Sequence, residues 1–219
     1  DPGYDGLRDS PAAADAGGLA GRLIVLDPGH GGVFRGALGV GGLTEAEVNL
    51  GVALALRDRL AAHGALVRLT REDDRDFLTP ADSSLSADLA ARARLAAAFD
   101  PDLLVSIHHN ADPRGAHDVN ETQTYYRLGD EGPSLEAAQD VHRALVRNVG
   151  IRAHRVVPGN YHMLRTSAAP ALLTETSYIT NPDVEARLRL PEKQRLEADA
   201  PFLGLAHYFA RPAPVAEPF

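Results

Sequence analysis

Leu23-Ile24-Val25-Leu26-Asp27-Pro28-Gly29-His30-Gly31-Gly32 is the stretch on which the fold turns. Four consecutive apolar residues, too few for a helix, read as a strand buried on both faces. The run stops at a Pro-Gly turn, and the next residue is a histidine in a glycine-rich loop. Two later segments repeat the arrangement: Ser106-Ile107-His108-His109-Asn110 and Leu172-Leu173-Thr174-Glu175. In each, an apolar run ends at a residue able to bind a metal or move a proton.

Strands and helices alternate around these segments. Leu23–Asp27 is followed by a helix opened by Thr44, whose Thr44-x-x-Glu47 spacing fits a capping box. Val48, Val52, Leu56 and Leu60 make its buried face, and Gly64 supplies a left-handed stop. The pattern predicts strands at Ala65–Leu69, Asp102–Ile107, Thr122–Leu128 and Ala171–Thr174. Helices are expected at Ser86–Ala98, Ser134–Asn148 with Gly150 as its stop, Asp183–Leu190 and Glu192–Ala210. Such alternation implies an α/β single domain, a twisted mostly parallel sheet with helices on both faces. Ligands of such sheets bind at the carboxyl ends of the strands. There His30, His108 and Glu175 converge if their strands are parallel neighbours.

Composition narrows the function. The 219 residues suit one α/β domain, and 44% hydrophobic with 24% charged content is globular. A net charge of −8 argues against nucleic acid as a partner, and no apolar run approaches a membrane span. With no cysteine, disulfides, thiolate nucleophiles and Cys-type zinc sites are excluded together. Residues 1–20 read as a poorly ordered lead-in or linker, residues 21–211 as the catalytic domain and residues 212–219 as a proline-rich tail. The chain begins with Asp1 rather than Met, so it is expected to be a processed or trimmed product with no signal peptide left to read.

Two imidazoles and a carboxylate make a hydrolytic zinc site, with the fourth position left for water. A separate carboxylate then serves as general base. His30, His108, Glu45 and Glu175 are the available groups. Each has a plainer reading: His30 as an ordinary loop histidine, Glu45 as a first-turn acid favoured by the helix dipole, Glu175 as a strand-end acid. His109 should point to the opposite face from His108. Neither HExxH nor a Cys–His zinc pattern occurs.

In order along the chain, the blocks Leu26-Asp27-Pro28-Gly29-His30-Gly31-Gly32, Leu43-Thr44-Glu45-Ala46-Glu47-Val48-Asn49-Leu50, Val67-Arg68-Leu69-Thr70-Arg71, Ser106-Ile107-His108-His109-Asn110-Ala111, and Leu164-Arg165-Thr166 with Pro170-Ala171-Leu172-Leu173-Thr174-Glu175 resemble the zinc-dependent N-acetylmuramoyl-L-alanine amidases of the Amidase_3 type. The resemblance implies Zn2+ as cofactor, held by His30, Glu45 and His108, with Glu175 as the catalytic carboxylate. It implies peptidoglycan as substrate and cleavage of the amide between N-acetylmuramic acid and L-alanine. Arg165 and Asn110 are expected to contact substrate or support the site. An extracytoplasmic location, a monomer, and regulation by a protein activator or an upstream wall-binding domain are also implied. Ser177 and Tyr178 stand where the family usually has glycine and phenylalanine, and Thr174 where it usually has an aliphatic residue. Some relatives carry a helix that plugs the site between the second histidine and the next strand; the short span from Ala111 to Thr122 predicts none. The alternatives are a metal peptidase cutting within the stem peptide and a non-catalytic wall-binding module.

Overall fold

A computed structural model describes residues 1–211. Six strands form one sheet in the order β2-β1-β3-β6-β4-β5. They are β1 (Leu23–Pro28), β2 (Leu66–Leu69), β3 (Leu103–Asn110), β4 (Thr122–Arg127), β5 (His154–Gly159) and β6 (Ala171–Tyr178). All pairings are parallel except β4 with β6. The helices are α1 (Glu45–Ala61), α2 (Leu85–Ala98), α3 (Pro133–Val149), α4 (His162–Thr166), α5 (Pro182–Leu188) and α6 (Pro191–Ala210).

Both faces are covered, each by its own alternate set of strand residues. Ile24, Leu26, Leu103, Val105, Ile107 and Leu172 join the main core with α1, α3 and α6. Val25, Leu104, Ala171 and Leu173 pack in a smaller core with Ala96 of α2 and Met163 and Leu164 of α4. The period of two carries directly into function. His108 continues the Leu104–Ser106 row toward α2 and α4, while His109 continues the Val105–Ile107 row toward α1 and α6.

α1 is set by its first turn. Thr44 Oγ accepts the Glu47 N–H at 3.3 Å, and Glu47 Oε2 accepts the Thr44 N–H at 3.0 Å, completing the expected capping box. Val48, Val52, Leu56 and Leu60 are all buried, each contributing roughly 1.5–3 kcal/mol by transfer from water. Gly64 and Gly150 take left-handed conformations after α1 and α3 (φ +84° and +77°). Val156 and Val157 sit in β5, an edge strand that also tolerates Pro158. That strand and α4 have too little apolar periodicity to stand out in the sequence.

Residues 1–20 correct the expectation of a loose lead-in. Tyr4 donates its N–H to Val149 O at 2.6 Å, and the Arg8 and Asp9 amides share Asn148 Oδ1 at 2.9 Å. Ala16 and Leu19 enter the main core. Leu19 is an apolar anchor with no periodic neighbour, which is why the segment reads as linker. The expected tail, 212–219, lies outside the described residues. No helix separates β3 from β4, as the short span predicts, so no plug of that kind covers the rim.

Candidate metal centre

β1, β3 and β6 are parallel and adjacent, so their carboxyl ends share one rim. His30 lies just beyond β1, and His108 pairs in register with Glu175 across β3 and β6. Glu45 arrives from the first turn of α1. One carboxylate joins the two rings: Oε2 is 3.1 Å from His30 Nε2, and Oε1 is 2.9 Å from His108 Nδ1. The imidazoles meet edge to face, 5.0 Å between centroids. One ligand atom from each of the three residues can be chosen so that all lie within 4.8 Å of one another. A tetrahedral ion with bonds of about 2.0–2.1 Å separates its ligand atoms by roughly 3.3 Å, so the donor set fits a small dication.

Backbone geometry makes this convergence possible. His30 has φ 64°, a left-handed conformation that costs a non-glycine residue on the order of 1 kcal/mol. Two buried arginines hold the loop there. Arg71 donates to Pro28 O, Gly29 O and Ala46 O at 2.8–2.9 Å, tying the His30 loop to the start of α1. Arg92 donates to Pro28 O and His30 O and pairs with Asp88 one turn before it on α2. Gly29 and Gly36 leave room for the ligands. A Cβ on Gly29 would stand 2.2 Å from the His108 ring, and one on Gly36 2.5 Å from Glu45 Oε2, where φ is also +70°.

Electrostatics follow from burial and pairing. Burial opposes ionisation of Glu45, but its hydrogen bonds to His108 and His30 prevail and hold the carboxyl well below its usual range. Burial alone would lower His108; the Glu45 hydrogen bond and charge outweigh it and raise the imidazole to about 9. Asp27, beneath the site, accepts from Thr70 Oγ1 at 2.6 Å and Ser106 Oγ at 2.8 Å. Burial raises its carboxyl, yet Arg92 and these hydroxyls keep it low. Glu175 is the exception. Its Oε2 is buried with no hydrogen-bond partner, and burial pushes its carboxyl up to about 8 against the lowering effect of His108. An unpaired carboxylate oxygen beside a ligand cluster is the arrangement a proton-transfer group requires.

A cavity of about 150 Å³ opens beside His30 and His108, walled by Phe34, Leu85, Leu89, Tyr161 and Met163. His162 of α4 also lines it. Arg165, one turn along, bonds to His162 Nδ1 and Asn160 O and makes no ion pair with a carboxylate among the described residues. Asn110 turns to β4, donating to Gln123 Oε1 at 3.2 Å and accepting the Ala111 N–H at 2.8 Å. His117 bonds to Thr180 O, at the surface. Sequence reasoning did not single out Arg71, Arg92, Asn49 or Asp27 as supports of the site. The one available signal was a charged or amide residue placed on a face meant for the core.

The family model for Amidase_3, N-acetylmuramoyl-L-alanine amidase, matches residues 24–207. The chain belongs to the Amidase_3 family. It is 32% identical over 195 residues to the germination-specific N-acetylmuramoyl-L-alanine amidase of Bacillus subtilis, covering 87% of this chain and 81% of that one. Among solved structures it is similar to N-acetylmuramoyl-L-alanine amidase AmiC2 of Nostoc punctiforme, with TM-score 0.76, 31% identity, and 88% and 99% of the two chains covered. It is also similar to the CwlD amidase of Clostridioides difficile, solved in complex with the GerS lipoprotein (TM-score 0.79, 28% identity, 85% and 98% covered). The amidase is therefore a hydrolase of peptidoglycan. Its Ser177 has a local contact: a register shift between the His108–Glu175 and Asn110–Tyr178 pairs inserts one residue in β6, and Ser177 Oγ donates to Glu197 Oε1 of α6 at 3.4 Å.

Proposed function

We propose that the amidase is a zinc enzyme that hydrolyses the amide between the lactyl group of N-acetylmuramic acid and L-alanine, with Glu175 as general base and acid. The observation that carries this reading is the meeting of His30, Glu45 and His108 within 4.8 Å beside an unpartnered Glu175 Oε2.

His30, Glu45 and His108 would hold the ion. When bound, zinc supplies a Lewis acid that polarises the scissile carbonyl and acidifies water. Glu175, as carboxylate, takes a proton from the attacking water and passes it to the leaving amine as the C–N bond breaks. The products are the muramoyl lactyl carboxylate and a stem peptide with a free L-alanine amine. The buried position of Glu175, with Oε2 unpaired among the described residues, supports the role, because that oxygen is left to take and give the proton. Arg165, with no carboxylate partner, is suited to an anionic group of the stem peptide, and Asn110 to buttressing the rim between β3 and β4. The substrate places the amidase outside the cytoplasm, where a protein activator is an expected partner.

Mass spectrometry of digested peptidoglycan, with and without chelator, tests the reading. Intact stems beginning with a free L-alanine amine, abolished by chelator, are expected. Shortened stems would reject the bond assignment, and undiminished digestion in chelator would reject zinc.

A further inference from the structure

Of the adjacent pair His108 and His109, His109 is the one outside the cluster of His30, Glu45 and His108. It lies on the face of β3 opposite His108, 1% exposed, among groups that would cost much to bury alone. Its Nε2 is 2.8 Å from Glu197 Oε2 of α6, and its Nδ1 is 2.8 Å from Asn49 Oδ1 of α1. Glu197 is fully buried and is met on its other oxygen by Lys193 Nζ at 3.5 Å. Asn49, also fully buried, sends its amide N–H groups to Glu45 Oε1 and to Gly29 O, both at 3.2 Å. The His109 backbone N–H reaches the same Glu45 oxygen at 3.2 Å. A continuous run of buried polar groups thus joins Lys193 and Glu197 on the last helix to Glu45 at the metal cluster.

The order of donors and acceptors gives this run a direction. Glu45 Oε1 and Gly29 O can only accept, so the Asn49 amide must present its nitrogen to them and its oxygen to His109. His109 Nδ1 is then a donor. If the Asn49 amide were turned over, its oxygen would face a carboxylate and a carbonyl, neither of which can donate. The ring, in contact with Asn49 Oδ1 on one side and Glu197 Oε2 on the other, holds the amide in place. Buried ionic groups are seldom the most stabilising way to fill a core, and here they end on Glu45, whose carboxylate touches both His30 and His108.

We infer that His109 and Glu197 are positioning residues that fix the Glu45 carboxylate for metal binding, acting through the Asn49 amide; the inference rests on the zinc reading above. Outer partners of this kind orient ligands, and their loss commonly weakens metal binding by 10–100-fold. Lys193 neutralises the buried Glu197 carboxylate, so the C-terminal helix contributes to a site on the far side of the sheet.

The test is the zinc dissociation constant of the full chain, measured by competition with a chromophoric chelator, together with kcat, KM and the Tm of the metal-free protein. His109→Leu removes both bonds at similar volume and should weaken zinc binding by roughly 10-fold or more, lowering kcat with KM unchanged. His109→Gln retains one donor toward Asn49 and should recover most of the affinity. Glu197→Gln leaves the ring in place but loosened and should show a smaller loss. Folded His109→Leu and Glu197→Gln variants whose zinc affinity stays within twofold of wild type, even if their metal-free Tm falls, would overturn the positioning role. Should His109→Leu fail to fold, Glu197→Gln decides by the same criterion. A wild-type chain that takes up no zinc rejects the reading of the site itself, whereas tight wild-type binding with unchanged variants rejects only the positioning role.

Discussion

His108 and Glu175 are register partners on adjacent parallel strands, β3 and β6, and the proposed mechanism gives them different tasks, metal binding and proton transfer. His108 is bonded to Glu45, whereas Glu175 Oε2 has no hydrogen-bond partner among the described residues. One strand spacing therefore brings together a paired imidazole and an unpaired carboxylate, each carried by the sheet.

Replacing Glu175 by Gln separates the two roles. The variant should bind zinc as wild type does and lose turnover by about 10²–10⁴-fold, the range for removal of a general acid–base. Zinc stoichiometry and the rate of peptidoglycan solubilisation, measured on one preparation, check it. Retained turnover would remove Glu175 from the mechanism.

The same substitution should stabilise the metal-free protein at high pH. The Glu175 carboxyl, raised to about 8 in the fold, is near 4.5 when the chain is unfolded. The folded state therefore binds the extra proton between these values, and stability falls as pH rises from about 4.5 to 8. Glu175→Gln abolishes that slope. Its Tm should exceed that of wild type at pH 8 and match it near pH 4, as thermal melts in chelator would show.

A second slope has the opposite sign. His142 of α3 accepts or donates at Thr124 Oγ1 (2.9 Å) and faces His154 at 3.3 Å. Burial, with the His154 charge adding to it, lowers the imidazole to about 4. The folded state prefers it neutral, so its contribution is present above about 6.5 and is lost as pH falls toward 4. Melts of wild type and His142→Gln from pH 7 to 4 should converge, with wild type losing more Tm over that interval. Parallel curves would rule out His142 as a source of acid sensitivity.

Gly29→Ala should disable the site without touching a reacting group. The added methyl would stand 2.2 Å from the His108 ring, so the ring must leave its place beside Glu45. Zinc affinity should drop by at least about tenfold, the scale of a lost ligand geometry, and Tm of the metal-free protein should fall as well, since such overpacking costs about 1–3 kcal/mol. Wild-type affinity in a folded variant would mean that the loop can yield.

Zinc binding requires neutral imidazoles. Affinity should fall as pH is lowered from about 9, where His108 takes up its proton in the metal-free fold, and zinc retained undiminished at pH 4 would contradict a two-histidine site.

Local sequence was enough to define β1, the capped start of α1 and the end of α3, because strand runs, capping boxes and left-handed glycine stops are written in neighbouring residues. The convergence of His30, His108 and Glu175 also followed from sequence, since apolar runs in an alternating pattern imply adjacent parallel strands. β5 and α4 were not legible: an edge strand with a proline and a single helical turn have little periodicity. The ordering of residues 1–20 escaped for the same reason, as Leu19 is one anchor without a pattern. Tertiary structure alone decided which polar residues serve the metal cluster. Arg71, Arg92, Asn49, His109 and Glu197 are far apart in the chain, and their roles come from hydrogen bonds across the sheet. Sequence by itself determined the rim where the chemistry sits, because burial patterns are local; packing between distant segments determined how Glu45 and Glu175 are held there, because buried donors and acceptors find partners only in the folded chain.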